Sequence, residues 1–469
     1  MLCPAQAIEE LRLKLPLVDL SITARLSELQ SADALWDGSS DLAELNRATN
    51  GRYARDLKEL FSLPLPLSPK HSSDGALASQ ALVLLRGLVY ADSDQSATLE
   101  IDTVLASLKQ LQASVQTPTL LQLLQQLPGT SLTLRLDRAL PVLKRQHQMV
   151  ESLVQKTQSL PSLPAADASA LAPGPLPVSV EVSSIPAAEA LDEPLEVTVV
   201  RPKGSPTLPT TLISHGLWDS PSSFMGWAQH LASHGAVVLL PRHRGSDQSQ
   251  QAAMLNGQAP PPNPEEFLRR PREIKAVIDA LEAGNLPGSS DAPRSNLVLI
   301  GHSWGATSAL QLAGARSVAS RAWDACQQAD APQRNLSWVL QCSFLPAAEP
   351  ISLLDPRISR VVAVSPPQAL VFAAGLANLS LPVLLVSGSR DLVVPGAPEA
   401  LQPFANYGGK GHRLVLADGG SHFNLPAKAD SNGGPLRALL LRWLKGDAIN
   451  SSSAVSDPAG MPLRLVAKP

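Results

Sequence analysis

The stretch that most constrains the fold is Leu297 to Ala306. A short apolar, β-branched run (Leu297, Val298, Leu299, Ile300) leads into Gly301-His302-Ser303-Trp304-Gly305, and a small-residue, helix-competent stretch, Ala306 to Ala313, follows at once. A serine at the tip of such a strand–turn–helix is held in a strained backbone conformation, so side chains two positions before and after it would collide. Glycines at 301 and 305 remove those collisions. The five-residue spacing alone occurs by chance in long chains rich in small residues. The flanking strand and helix give it weight.

The same rhythm runs through the second half of the chain. Strand-like runs fall at 178–183, 195–200, 210–214, 236–240, 297–301, 359–364, 382–387 and 413–417. Amphipathic segments separate them, among them Arg272 to Ala283, where Ile274, Val277, Ile278 and Leu281 share one helical face. Alternation of this kind predicts a mostly parallel sheet flanked by helices, with an antiparallel start from the first two runs.

The first third reads differently. Residues 8–23 alternate (Leu11, Leu13) as a strand or extended arm, and short helices are expected over 42–61, 76–90, 99–113, 119–127 and 139–154, with Pro141 in the first turn of the last. A Ser/Pro/Ala-rich segment then has the composition of a linker. The expected organisation is a mainly helical domain over 1–156, a linker over 157–177, a catalytic domain over 178–446 with a cap insertion at about 314–356, and a flexible tail over 447–469. At 469 residues, 44% of them apolar, the chain can bury more than one core.

Charge excludes some partners. With 38 basic against 41 acidic residues and no basic block, a nucleic-acid partner is not indicated. No apolar run is long enough to span a membrane, so the chain reads as soluble, with contact to a membrane surface allowed but not indicated and the oligomeric state unread. Cys3, Cys326 and Cys342 lack the clustering of a zinc site; one pair could bridge. Pro4-Ala5-Gln6-Ala7 ends in an Ala-x-Ala of the kind cut by signal peptidase, without the charged and apolar regions that normally precede it. A chance tripeptide is the alternative.

A serine hydroxyl needs a base to become a nucleophile and a carboxylate to orient that base. Ser387-Gly388-Ser389-Arg390-Asp391 and Gly420-Ser421-His422-Phe423 supply both in loops after strands, in the order Ser, Asp, His. The expected catalytic residues are therefore Ser303, Asp391 and His422. Asp418 is a rival for the carboxylate. Of the other histidines, His302 should point away from the substrate side, His412 reads as a solvated loop residue, and His215 and His243 stay unassigned. Ser303 as an ordinary core serine would make the two downstream motifs coincidences. Oxyanion donors are expected from the backbone N–H groups of Trp304 and, in the turn Ser214-His215-Gly216-Leu217, of Leu217. The segment holding Trp323, Cys326, Trp338, Cys342 and Phe344 could line an acyl pocket or form the cap's own core, and Cys326–Cys342 would form a disulfide only if the protein is exported.

Together these pieces resemble the α/β-hydrolase superfamily, more narrowly the platelet-activating factor acetylhydrolases and dienelactone-hydrolase-like esterases. The matching segments are 214–217, 301–305, Asp355-Pro356-Arg357-Ile358, Ser365-Pro366-Pro367, 388–391 and 420–423. The order of helical region, linker and hydrolase is similar to a group of cyanobacterial predicted hydrolases with an unassigned amino-terminal domain. The resemblance implies an α/β-hydrolase fold with an eight-stranded, mostly parallel sheet, and hydrolysis of a small-molecule ester of short or medium acyl chain, or a lipid-like one. It implies Ser303 as nucleophile, His422 as general base and Asp391 as its partner, with no metal and no organic cofactor. It also favours export over a cytoplasmic location. Arg242 and Arg244 depart from the family's usual loop and would suit an anionic ester. A serine peptidase or lactone hydrolase shares the same chemistry, and an idle fold acting as an interaction module is the alternative from another class.

Overall fold

The structure is a computed structural model that describes residues 8–14, 21–51, 89–91, 107, 110–111, 115, 119–187, 191–255, 258–318, 324–326, 334–458 and 460–467. The chain forms two compact units, one of residues 1–145, 251–263 and 327–332, the other of 146–250, 264–326 and 333–469.

Among the described residues the smaller unit holds helices together with a small sheet. Strands β1 (Glu10–Lys14), β2 (Ser21–Arg25), β3 (Val89–Ala91) and β4 (Ser131–Arg135) form a sheet in the order β2-β1-β4-β3, with β1 and β4 parallel and the outer pairs antiparallel. Leu11, Ala24, Leu26, Leu35, Leu42, Leu123 and Leu132 share its core. Of the expected helices, Asp41–Ala48 is capped by Ser40 and stops well short of 61, and Leu120–Gln126 is closed at its start by a Thr119/Gln122 capping box. Residues 52–61, 76–88 and most of 99–113 lie outside the described residues, while Tyr90, expected in a helix, is in β3. A longer helix spans Leu136–Ser159, so Pro141 sits inside it and not in its first turn.

In the larger unit all eight expected strands form: β5 (Val178–Ile185), β6 (Leu195–Pro202), β7 (Thr211–Ser214), β8 (Val238–Pro241), β9 (Leu297–His302), β10 (Ile358–Val364), β11 (Val383–Gly388) and β12 (Arg413–Ala417). A ninth, β13 (Leu463–Val466), pairs antiparallel with β12, giving the order β13-β12-β11-β10-β9-β7-β8-β6-β5. From β12 to β8 every pairing is parallel. These six strands are buried on both faces, which is why they read as unbroken apolar runs.

Two expectations about flexible segments fail together. The described part of the expected tail, 447–458 and 460–467, is not loose, because β13 closes the sheet and Leu463 is fully buried. Nor is 157–177 a free linker: the Leu163 N–H donates to the Leu463 carbonyl at 2.7 Å, Ala166 N–H to Ser456 at 2.8 Å, and Leu163 is in the core. Pro/Ser/Ala-rich composition suits an extended segment laid along a sheet edge as well as it suits a linker.

The helix expected at Arg272 begins earlier, at Glu266, and runs to Glu282 through Pro271. Proline cannot donate to the carbonyl four residues back. Here that carbonyl, of Phe267, accepts from Gln311 Nε2 at 3.1 Å, so the helix continues against the helix Trp304–Leu312.

Candidate active site

The chain reverses its direction of progress across the sheet between β7 and β9, and loops at the carboxyl ends of those strands meet there. Ser303 follows β9 at φ 53° and ψ −124°, outside the regions ordinary residues occupy, and its N–H donates to the Val364 carbonyl at 2.9 Å. A Cβ on Gly305 would lie 2.2 Å from the Ser214 carbonyl oxygen, so only glycine lets the elbow helix come this close to β7. A Cβ on Gly216 would stand 3.1 Å from Ser303 Cβ and 3.6 Å from its Oγ; the His-Gly turn therefore lies directly against the serine. The N–H groups of Leu217 and Trp304 have no acceptor among the described residues.

Asp391 follows β11 and His422 follows β12. The Asp391 carboxylate is fully buried; Oδ1 accepts from the Val393 and Val394 amides at 3.0 and 2.8 Å, and Oδ2 accepts from His422 Nδ1 at 2.9 Å. Because a carboxylate can only accept, His422 carries its proton on Nδ1 and leaves Nε2 bare when neutral. Among the described residues no hydrogen bond joins Ser303 Oγ to His422, a link that in many free enzymes tightens only around a substrate.

His302 has a larger part than the sequence suggests. Its Nε2 donates to the carbonyl of His422 at 3.0 Å, and the two rings lie 4.7 Å apart. Burial and the neighbouring His422 hold His302 well below the usual imidazole range, so it stays neutral and fixes the His422 loop. Asp418, the rival carboxylate, is instead paired with Arg464 of β13 at 2.9 Å. His412 is not solvated: it is buried, accepts from the Val383 N–H at 3.2 Å through Nδ1 and contacts the Gly408 carbonyl through Nε2. A residue just before a buried strand is as easily covered as exposed.

A buried polar network that local sequence does not announce stands behind the His-Gly turn. His243 Nδ1 meets Glu273 Oε2 at 2.5 Å, and its Nε2 meets Ser214 Oγ at 2.9 Å. Arg270, wholly buried, donates to the carbonyls of His215 and Gly216. Burial pushes Glu273 up to about 7 against the pull of Arg269 and Arg270, lowers Arg270 to about 10, and holds His215 and His243 well below the usual range. In sequence Arg269-Arg270-Pro271-Arg272-Glu273 looks like a solvated charged face. Position 270 falling between the apolar residues 267 and 274 is the only hint of burial.

Arg242 and Arg244 do not wait for an anion. Arg242 Nε is 2.7 Å from Asp247 and its Nη1 3.6 Å from Glu196, and Arg244 approaches Glu196 at 3.9 Å. In the segment expected to form a cap, Phe344 is fully buried with its ring 4.4 Å from that of Trp304, and Phe267, also buried, is 6.0 Å from Trp304, so these aromatics are packed core. Cys326 and Cys342 are joined by a disulfide; Cys3 and Trp323 lie outside the described residues. At the surface, Leu392 and Phe423, each next to a member of the Asp–His pair, are 58% and 81% exposed. Among the described residues no group of three or more His, Cys, Asp and Glu side chains could hold a metal ion, and no helix is long and apolar enough to cross a membrane.

A mostly parallel sheet with its serine elbow after β9 and an Asp–His pair after β11 and β12 is the α/β-hydrolase fold. Residues 212–430 match the model of the alpha/beta hydrolase family, a span that runs from within β7 past His422 and takes in Ser303, Asp391 and His422; the larger unit has that fold. No curated protein matches the chain.

Proposed function

We propose that the larger unit is a serine hydrolase that cleaves carboxylic esters through an acyl-enzyme. The observation that carries this reading is the juxtaposition of a strained Ser303 with the Gly216 turn on one side and a buried, bonded His422–Asp391 pair available as its base. Ser303 Oγ attacks the ester carbonyl while His422 Nε2 takes the hydroxyl proton. The tetrahedral oxygen is held by the N–H groups of Leu217 and Trp304, and Asp391 stabilises the imidazolium. Collapse expels the alcohol, which leaves with the proton from His422. Water, deprotonated by His422, then attacks the acyl-Ser303 ester and releases the acid, returning the proton to Ser303.

The exposed Leu392 and Phe423 beside the pair support an ester with an apolar acyl or lipid-like part, in keeping with the resemblance to platelet-activating factor acetylhydrolases. The neutralised Arg242 and Arg244 speak against an anionic one. The disulfide favours an oxidising compartment. A fluorophosphonate probe tests the chemistry: labelling is expected in the wild type and absent in Ser303→Ala, and an unlabelled wild type would favour an idle fold. A panel of p-nitrophenyl esters, lactones and peptide amides tests the substrate class, with hydrolysis confined to amides overturning the ester assignment.

A further inference from the structure

The direction of the Leu217 N–H is the direction of one peptide unit. Across a trans peptide the carbonyl and the N–H point to opposite sides, so whatever holds the Gly216 oxygen aims the Leu217 N–H. Two donors hold that oxygen. Arg270 Nη2 lies 3.1 Å from it and His215 Nδ1 2.8 Å from it. The tautomer of His215 is fixed by its other nitrogen: Nε2 receives the backbone N–H of His243 at 3.1 Å, so Nε2 is bare and Nδ1 carries the proton. Both lone pairs of the Gly216 carbonyl are then occupied from behind.

The guanidinium does more than add one bond. Its Nη1 donates to the preceding carbonyl, of His215, at 2.7 Å, so a single rigid fork grips two successive peptides. The fork is itself held: Nε donates to Ser246 Oγ at 2.9 Å, that hydroxyl donates to Glu266 Oε2 at 2.5 Å, and Glu266 lies 3.9 Å from Nε as counter-charge. A cation bonded to a peptide oxygen polarises the unit and makes the opposite N–H a stronger donor. On the open side, the glycine of this turn is in contact distance of Ser303.

We infer that Arg270 is a positioning residue for the oxyanion donor: gripping the carbonyls of His215 and Gly216, it holds the Leu217 N–H turned toward the carbonyl attacked by Ser303. This rests on the esterase reading above. Arg270 touches no reacting atom; its effect passes through one peptide, and it is felt where negative charge develops, in the transition state.

The test compares Arg270→Met and Arg270→Lys with wild type in steady-state hydrolysis of p-nitrophenyl butyrate, inhibition by an alkyl boronic acid, and thermal melting. Arg357→Met serves as the control for lost stability, since Arg357 pairs with Asp355 and Asp279 at the opposite end of β10. Expected for Arg270→Met is a fall in kcat of about 10- to 100-fold, below the roughly 10²- to 10³-fold cost of removing a donor outright. KM should change less than about threefold, because the interaction matters little to the ground state. Boronic acid affinity, which reads the tetrahedral oxyanion, should fall in parallel with kcat/KM, and Arg270→Lys, which keeps the charge and one donor, should recover part of both. Arg357→Met should melt earlier with kcat unchanged. If Arg270→Met does not fold, Arg270→Lys against Arg357→Met carries the same comparison. A folded Arg270 variant with wild-type kcat, or one whose loss is all in KM, overturns the inference alone. A wild type that takes no fluorophosphonate removes the esterase reading and this inference with it.

Discussion

Single side chains decide which of two acids serves the histidine. Asp418 stands much nearer His422 in the chain than Asp391 does, so nearness in sequence alone would pick the rival. Their surroundings differ: Asp391 presents one oxygen to His422 and the other to two backbone amides, whereas the Asp418 carboxylate is engaged by Arg464. Asp391→Asn is expected to lower kcat on the order of 10³- to 10⁴-fold, since an amide in that place favours the wrong imidazole tautomer. Asp418→Asn should cost stability through its Arg464 contact and leave kcat within about twofold, the size of an effect that misses the transition state. Steady-state ester hydrolysis checks both, and a reversal of the two outcomes would move the triad acid to Asp418. Ser303, Asp391 and His422 were legible as candidates because each follows an apolar strand, in a recognisable order. The supporting side chains, Arg270, His302 and Glu273, were not, because their importance comes from burial beside residues far away in sequence, and no local spacing carries that.

At the scale of elements, the helix Ser337–Phe344, in the segment expected to form a cap, is tied to the body of its unit by one buried carboxylate. Glu399 Oε1 accepts from Asn335 Nδ2, Ser337 Oγ and Gln341 Nε2 at 3.1, 2.8 and 3.0 Å, while Oε2 accepts from the amides of Gln368 and Ala369, both at 2.9 Å. Gln341 Oε1 in turn accepts the Leu370 and Val371 amides at 2.8 and 3.1 Å. The segment 365–371 follows β10, so the helix and a strand-end loop are joined through acceptors that are all spoken for. Glu399→Gln puts an NH2 among these donors in either orientation and strands at least two of them. The expected loss is about 2–4 kcal/mol, at the 1–3 kcal/mol typical of each buried unpaired group, read as a lower urea midpoint. A midpoint within error of wild type would show that the helix is held by its apolar contacts. Strands of this unit were easy to read because doubly buried strands leave runs such as Val383-Leu384-Leu385-Val386. β13 was missed because only Leu463 and Leu465 alternate there, within a Ser/Pro-rich stretch, and its pairing partner β12 lies more than forty positions back.

Across the whole molecule, buried titratable groups set how stability responds to pH. His215, His243 and His302 are held well below the ordinary imidazole value of 6.5, each chiefly by burial, and His230 is lowered to about 4 by burial and by its neighbour His234. Neutral in the native state, these four contribute stability that is complete above about 6.5 and is lost as the pH falls below it, because the unfolded chain then takes protons the native state refuses. Two glutamates act with the opposite sign. Glu273 is raised by burial to about 7 and Glu266 is raised from its ordinary 4.5 by the same cause, so their contribution is present at low pH and is lost as the pH rises through the raised value. Between 4.5 and 6.5 these four, joined by His234, which burial also lowers, oppose two groups of the other sign, and the unfolded chain binds the greater number of protons. The urea midpoint should therefore fall steadily from pH 7 to pH 5, each excess proton steepening the loss by about 1.4 kcal/mol per pH unit. His230→Phe removes one of the four without touching the site, and should flatten the slope by about that single-proton amount. A midpoint that stays level or rises on acidification would mean that the buried histidines are charged in the native protein, and with them the tautomer of His215 on which the aim of the Leu217 N–H depends would have to be reassigned.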